Sequence, residues 1–373
     1  MDLFTLNRKF LREDVIDHFF SAIWTERYYG DSDIELIVPT TSELIEKLSL
    51  GTFVGLQGSN EIMIIETLNF EEGKLTANGI SLLSWLDNRF VRTSEAHEDS
   101  AWTIEDTLPG EILWMIVYNM CVAGSPYLNG TNPTGITNPQ QLAIPGLTLK
   151  DFDKSGEKIP TIDIPFGPVY SVLADIAKAY KIGMQITLES ATDTSYILGF
   201  RSYKGLNRTS FQDVNPVVRF SPQIDSLTNI KELQSIAMFK TLVYAFASNN
   251  PDGVAGDPGI ASLSGTQYSG FDLRASQLLE EVPVEAAEAD PQILLNILNT
   301  RAQKELAANS FISAVDGELV PLNQFKYGIH YNLGDFIEVQ GNSGAVQISQ
   351  VTEYIRAQDE AGERAYPTLG VLE

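Results

Sequence analysis

The stretch "TFVGLQGSNEIMIIETLNFEEGKLTANGI" limits the possible folds more than any other part of the chain. Three runs of strand-forming residues are separated only by Gly58-Ser59-Asn60 and by Glu72-Gly73, both turn sequences. A parallel pair needs a crossover of roughly a dozen residues or more, so connections this short can join only antiparallel neighbours. Just upstream, "DIELIVP" alternates apolar and polar residues and stops at Pro39. Residues 1–92 therefore read as an antiparallel β-rich domain. Two short helices are expected inside it. One is capped by Thr40, carries Glu43 in capping-box position and Leu44 and Leu48 on a stripe, and ends at Gly51. The other is "SLLSWLDNRF", with Leu82, Trp85 and Leu86 toward the sheet.

From residue 93 to 205 the hydrophobic period changes. "EILWMIVYNMCVAG" is apolar all round, as a buried helix is, and "FGPVYSVLADIAKAYKIG" places Val169, Leu173, Ile176 and Tyr180 at helical spacing between Pro168 and Gly183. "MQITLES" then alternates as a half-buried strand. This mixed α/β segment is interrupted by a long loop, 124–146, long enough to imply contact with a neighbour. Residues 206–373 return to strands, with one helix announced by Asp290 and Pro291 and a Gly/Pro-rich loop "NNPDGVAGDPG". Both β-rich ends run Leu-Gly, short strand, turn, long strand, turn, strand, so they are expected to share a layout.

A chain of 373 residues accommodates two or three cores. Its 49 acidic and 25 basic residues give a net charge of -24, which opposes a grip on a phosphate backbone and excludes nucleic acid as a bound ligand. An acidic wall can still line a conduit through which the polymer slides. The single cysteine, Cys121, excludes an internal disulfide framework and reads as a small buried hydrophobe. The apolar run around it is too short to span a membrane, and "MDLFTLNRKF" lacks the core of a signal peptide, so no stable membrane insertion is expected.

Candidate chemistry fails for want of partner residues. Gly30-Asp31-Ser32 matches the nucleophile block of GDS-type hydrolases, but Ser32 precedes a strand, and the late histidine His330 has no aspartate three residues before it. A turn between strands fits those residues better. "DFDKSGEKIPTI" opens like a calcium loop with Asp151, Asp153, Ser155 and Gly156, yet position twelve is Ile162 instead of a bidentate glutamate, which leaves only a weak site. His18, His97 and His330 are scattered, and the adjacent pairs Glu71-Glu72 and Glu280-Glu281 are solvation patterns. The basic and aromatic cluster Arg201, Tyr203, Lys204 and Arg208 is too small to hold nucleic acid. No catalytic residue, cofactor site or metal site is expected.

The ordered words "IWTERYYGDSDIELIVP", "EIMIIETLNF", "LTANGISLLSWLDNR", "YNLGDFIEV" and "YPTLG" resemble the tail hub, or tail-associated, proteins of siphoviruses, which share a fold with the baseplate hub of contractile-tailed phages. The resemblance is strongest over 1–92 and 320–373. Arg27, Tyr28, Gly30, Ile34, Leu36 and Pro39 stand at the family's Arg-Tyr, Gly, strand and Pro positions, and Leu333, Gly334 and Asp335 at its C-terminal Leu-Gly-Asp. Ser32-Asp33 departs from the Asp-Phe common in relatives.

The resemblance implies an α+β fold: two tube-type antiparallel β-barrel domains, 1–92 and 206–373, with the mixed α/β domain 93–205 inserted between them and interleaving in space possible for such folds. It also implies a non-enzymatic homotrimer at the tail tip of a virion, assembled in the host bacterial cytoplasm. Three copies would match the hexameric distal tail ring, admit the tape measure protein C-terminus, meet other tail-tip or fibre proteins and let genomic DNA pass during ejection. Some relatives continue into a C-terminal lysin, for which a chain stopping at Glu373 is expected to leave no room. Two other readings remain at this point: a cell-wall hydrolase or GDS-type esterase using Ser32, and a carbohydrate-binding receptor module using loops 124–146 and 250–270.

Overall fold

The computed structural model describes residues 1–91, 102–123, 143–192, 195–247, 258–263, 268–280, 291–309, 312–319 and 324–371. His97, Glu281, Asp290 and most of both long loops lie outside them. Contacts divide the chain into two compact units, one of residues 1–228, 318–339 and 348–373 and the other of 229–317 and 340–347.

The first unit is built on an eleven-stranded sheet. Its N-terminal strands are β1 (Leu3–Leu6), β2 (Arg12–Ile16), β3 (Ser21–Arg27), β4 (Asp33–Pro39), β5 (Phe53–Leu56), β6 (Ile62–Glu71) and β7 (Lys74–Ser81). β5, β6 and β7 form the antiparallel meander that their short connections require, closed by Glu72 and Gly73 with φ of 46° and 76°. The C-terminal strands Phe336–Gln340 and Val346–Asp359 continue the same sheet, the latter pairing antiparallel with β3, while Gly362–Val371 pairs with Val346–Asp359. Strands from the two ends of the chain thus share one sheet. That sheet is an open path from β2 to Arg219–Phe220, so the β-rich class holds, but no strand pair closes it into a barrel among the described residues.

Helix α1 (Ser42–Lys47) follows β4, and its cap is Thr41 rather than Thr40: the Thr41 hydroxyl accepts from the Leu44 N–H at 3.3 Å. The Thr40 N–H is already spent on the Gly73 carbonyl, which holds Thr40 on the sheet. "SLLSWLDNRF" makes only the 3₁₀ turn Ser84–Asn88 before Phe90 and Val91 return to strand. Helices α2 (Pro109–Val117) and α3 (Val169–Ala179) bury Ile112, Leu113, Ile116, Val169, Leu173 and Ile176 in a common core with Phe4, Phe53 and Ile64 of the sheet. Each such side chain contributes about 1.5–3 kcal/mol when taken from water. Cys121 lies in the same core, where burial pushes its thiol up to about 12. A three-stranded layer of Leu147–Leu149, Ser195–Tyr203 and Gly183–Thr192 completes the mixed α/β part.

In the second unit Leu242–Ala247 runs between Gly259–Ser262, antiparallel, and Ala275–Glu280, parallel. The helix Pro291–Ala308 covers one face with Leu298, Ala302 and Leu306 against Val243, Ala245 and Ala261. Gly259 permits that approach, since a Cβ there would lie 2.2 Å from the Leu298 carbonyl carbon. No described helix is long and apolar enough to cross a membrane.

Candidate functional site

The residues singled out in the sequence meet where β3 leaves the sheet. Tyr28, the first residue after β3, is fully buried, and its ring lies where side chains of Gly183 and Gly334 would be: a Cβ at either position would fall 2.0 or 2.3 Å from it. Gly334 has φ of 86°, so glycine is required there twice over. The Tyr28 hydroxyl donates to the Tyr203 carbonyl at 3.1 Å and accepts from the Gly205 N–H at 3.3 Å, and the Tyr28 and Tyr203 rings pack edge to face at 5.4 Å. Gly205 in turn has no space for a Cβ, which would sit 1.9 Å from the Gly334 carbonyl carbon. One tyrosine therefore ties β3, the mixed α/β part and the Leu333-Gly334-Asp335 turn together.

Asp335 is the second clasp. Its buried carboxylate accepts from the backbone N–H of Leu206 at 2.7 Å and of Asn332 at 3.0 Å, and from Arg208 Nε at 2.6 Å. Three donors, one of them charged, replace the water that burial removes. Three residues on, buried Glu338 accepts from the Ser210 N–H and Oγ at 2.7 and 2.6 Å and from Arg219 Nε at 2.6 Å. Desolvation alone would raise the Glu338 carboxyl, but the Ser210 hydrogen bonds and the Arg219 charge outweigh it and hold the group below its ordinary value.

Arg27 pairs with Asp33 and, through Nε, with Glu353 at 2.7 Å, joining β3, β4 and the strand Val346–Asp359. Ile34 and Leu36 are buried in the sheet core, Pro39 ends β4, and Gly30 lies in the β3–β4 connection. Ser32 is no exposed nucleophile: it is buried, accepts the Arg27 N–H at 3.0 Å, and its hydroxyl hydrogen bonds Glu61. His330 accepts the Lys326 N–H at 2.8 Å, and His18 is near Asp17.

Residues that the sequence did not mark complete the junction. Buried Glu26 accepts from Trp24 Nε1 and from the Tyr327 hydroxyl, each at 3.2 Å, and lies 3.7 Å from Arg356. Burial, together with the charge of Glu26, pushes the Glu61 carboxyl up to about 8, against the pull of Ser32 and Arg356. Glu26 and Glu61 are 35 residues apart in sequence, and only the convergence of β3 with the start of β6 brings them together. The glycines of "KIGMQ" and "YKGLN" were the one available signal for the close approach to Tyr28.

The basic cluster is spent internally: Arg201 pairs with Glu189, Lys204 lies 3.9 Å from Asp153, and Arg208 binds Asp335. In the calcium-like loop, Asp153 accepts from the Ser155 N–H at 3.2 Å and Oγ at 2.8 Å, and Gly156 takes φ of 94°. That is an Asx-turn, in which the aspartate accepts from the backbone two residues on. Among the described residues no group of three or more His, Cys, Asp or Glu side chains is placed to hold a metal ion. The arrangement binds segments of chain to one another.

Comparison with known proteins follows the same line. The family model described as Siphovirus ReqiPepy6 Gp37-like protein matches residues 2–252. No curated protein matches the chain. Among solved structures, the fold is similar to that of the 43 kDa tail protein of prophage MuSo2 from Shewanella oneidensis, at 12% identity, covering 100% of this chain and 98% of that one with a TM-score of 0.55. It is also similar to a tail protein from Neisseria meningitidis MC58, at 12% identity, covering 99% and 95% of the two chains with a TM-score of 0.51. At such identities the likeness is one of fold.

Proposed function

The chain belongs to the Siphovirus ReqiPepy6 Gp37-like family, and from that premise we propose that it is a structural hub of a phage tail tip, acting as a homotrimer. In this reading the segment 93–205 is the inserted domain, and each of three copies turns the sheet shared by its two β-rich ends toward the distal tail ring. The tape measure protein C-terminus enters the ring and DNA later passes through it, along walls that a net charge of -24 keeps from holding phosphate.

The observation that carries the reading is the junction at Tyr28. Arg27, Tyr28, Leu333, Gly334 and Asp335 occupy the hub-family motif positions, lie far apart in sequence, and converge on buried contacts that join chain segments. Residues with that role hold segments of chain to one another, and their polar groups are spent on those contacts. Ser32 is buried, with its hydroxyl engaged, which speaks against the hydrolase alternative.

Imaging of assembled tails tests the proposal. Three copies of this chain around the axis at the tip are expected; a single copy, or its absence from the tail, refutes it.

A further inference from the structure

The first unit carries a rigid apolar knob and an apolar socket. The knob is the loop 207–218, in which Phe211 and Val214 are 78% and 89% exposed. An exposed apolar pair is usually mobile, but here the backbone beneath it is held on all sides. The Gln212 amide uses both ends: Nε2 donates to the carbonyls of Thr209 at 3.0 Å and Asn215 at 2.8 Å, and Oε1 accepts from the N–H groups of Val214 at 2.8 Å and Asn215 at 2.6 Å. Glu338 pins Ser210, and the loop base closes through the Val218 N–H to the Arg208 carbonyl at 2.9 Å. A loop whose backbone is held this way has already met the backbone part of the ordering cost of a contact.

The socket is a cavity of about 270 Å³ lined by Phe10, Phe53, Ile64, Trp85, Ile186 and Leu198 among others, with Arg8 the one charged side chain at its rim. An apolar cavity of roughly 150 Å³ already accepts benzene, so a phenyl group fits with room to spare. Arg8 lies over the Phe53 ring at 4.6 Å, is exposed, and has no carboxylate partner among the described residues. The knob's exposed ionisable residue is Asp213, between Phe211 and Val214, since Arg208 at its base is buried against Asp335. Knob and socket therefore match in apolar character, size and charge.

We propose that Phe211 and Val214 of one copy enter the Phe10–Phe53–Trp85 cavity of a second copy, with Asp213 meeting Arg8 at the rim. The contact is heterologous, knob to socket, and repeated around an axis it closes a ring. It deepens the trimer reading above and rests on the self-association stated there.

Sedimentation of the full chain, with thermal melting as a fold control, decides the matter. The wild type is expected to sediment as an oligomer. Phe211→Asp, or the milder Phe211→Ser, weakens self-association at least tenfold with an unchanged melting curve, because the side chain is exposed within its own copy. Asp213→Arg and Arg8→Asp each weaken it, and the two together restore it. An oligomer unaffected by Phe211→Asp and Phe211→Ser overturns the knob while leaving the trimer standing, failure of the charge exchange to rescue overturns the Asp213–Arg8 contact, and a monomeric wild type overturns both the inference and the trimer.

Discussion

Asp335 and Glu61 are both buried carboxyl groups of the same unit, yet they do opposite things. Asp335 has a guanidinium and two backbone N–H groups aimed at it, at 2.6 to 3.0 Å. Glu61 faces another carboxylate, Glu26, and the cation near them, Arg356, lies against Glu26. Desolvation penalises both groups. Where donors replace the lost water, the carboxylate becomes a clasp between segments; where a second carboxylate faces the group and outweighs its Ser32 hydrogen bond, the carboxyl holds its proton instead. The difference lies in partners and not in depth.

The comparison can be broken most severely at Asp335. Asp335→Ala leaves Arg208 buried without its partner, and chemical denaturation is expected to show a loss of about 3–5 kcal/mol. At Glu61 the expected sign reverses. Its carboxyl, raised to about 8 in the fold from an ordinary 4.5, keeps a proton that the unfolded chain releases, so stability falls as pH rises from 4.5 to 8 and the penalty is complete above that. Glu61→Gln removes this titration. Unfolding titrations at several pH values should show the variant gaining on the wild type by roughly 2–4 kcal/mol between pH 4.5 and pH 9.

Tyr28→Phe is a smaller probe: it keeps the ring that fills the space over Gly183 and Gly334 but strands the Gly205 N–H, a loss of about 1–2 kcal/mol by the same denaturation assay. Ser32→Ala should have the least effect, about 1 kcal/mol from the Arg27 N–H it satisfies, and should push the Glu61 transition to still higher pH. A drop in Glu61 titration on Ser32→Ala would contradict the ranking of forces described for that pair.

How much of this was legible in the sequence depended on range. The alternation in "DIELIVP" and the Glu72-Gly73 turn are local, and β4, β6 and β7 followed from them. The buried α2 and the amphipathic α3 were equally readable from their periods. Thr40 and Thr41 are both capping residues, and the choice between them was made by a sheet hydrogen bond from Thr40 to Gly73 that no local pattern contains. The meeting of Tyr28 with Gly183, Tyr203 and Gly334 was invisible for the same reason, since sequence spacing says nothing about which glycine receives which ring. Family resemblance marked Tyr28 and Gly334 as positions; the clasp between them is a property of the fold. The expectation of two tube-type β-barrels is met only as a β-rich class with no closed barrel among the described residues, because strand patterning specifies faces and turns, while which edges join is settled by the whole sheet.

The pairing of β3 with the strand Val346–Asp359 sets a timetable for synthesis. Arg27 and Glu353 are 326 residues apart, and at roughly 5–20 residues per second the ribosome needs tens of seconds to deliver the second after the first. Throughout that interval the outer edge of β3 has no native partner, and an unpaired strand edge in a nascent chain recruits other chains. The sheet can be completed only when these C-terminal strands emerge, so the early half of the protein must pass that interval with an open edge.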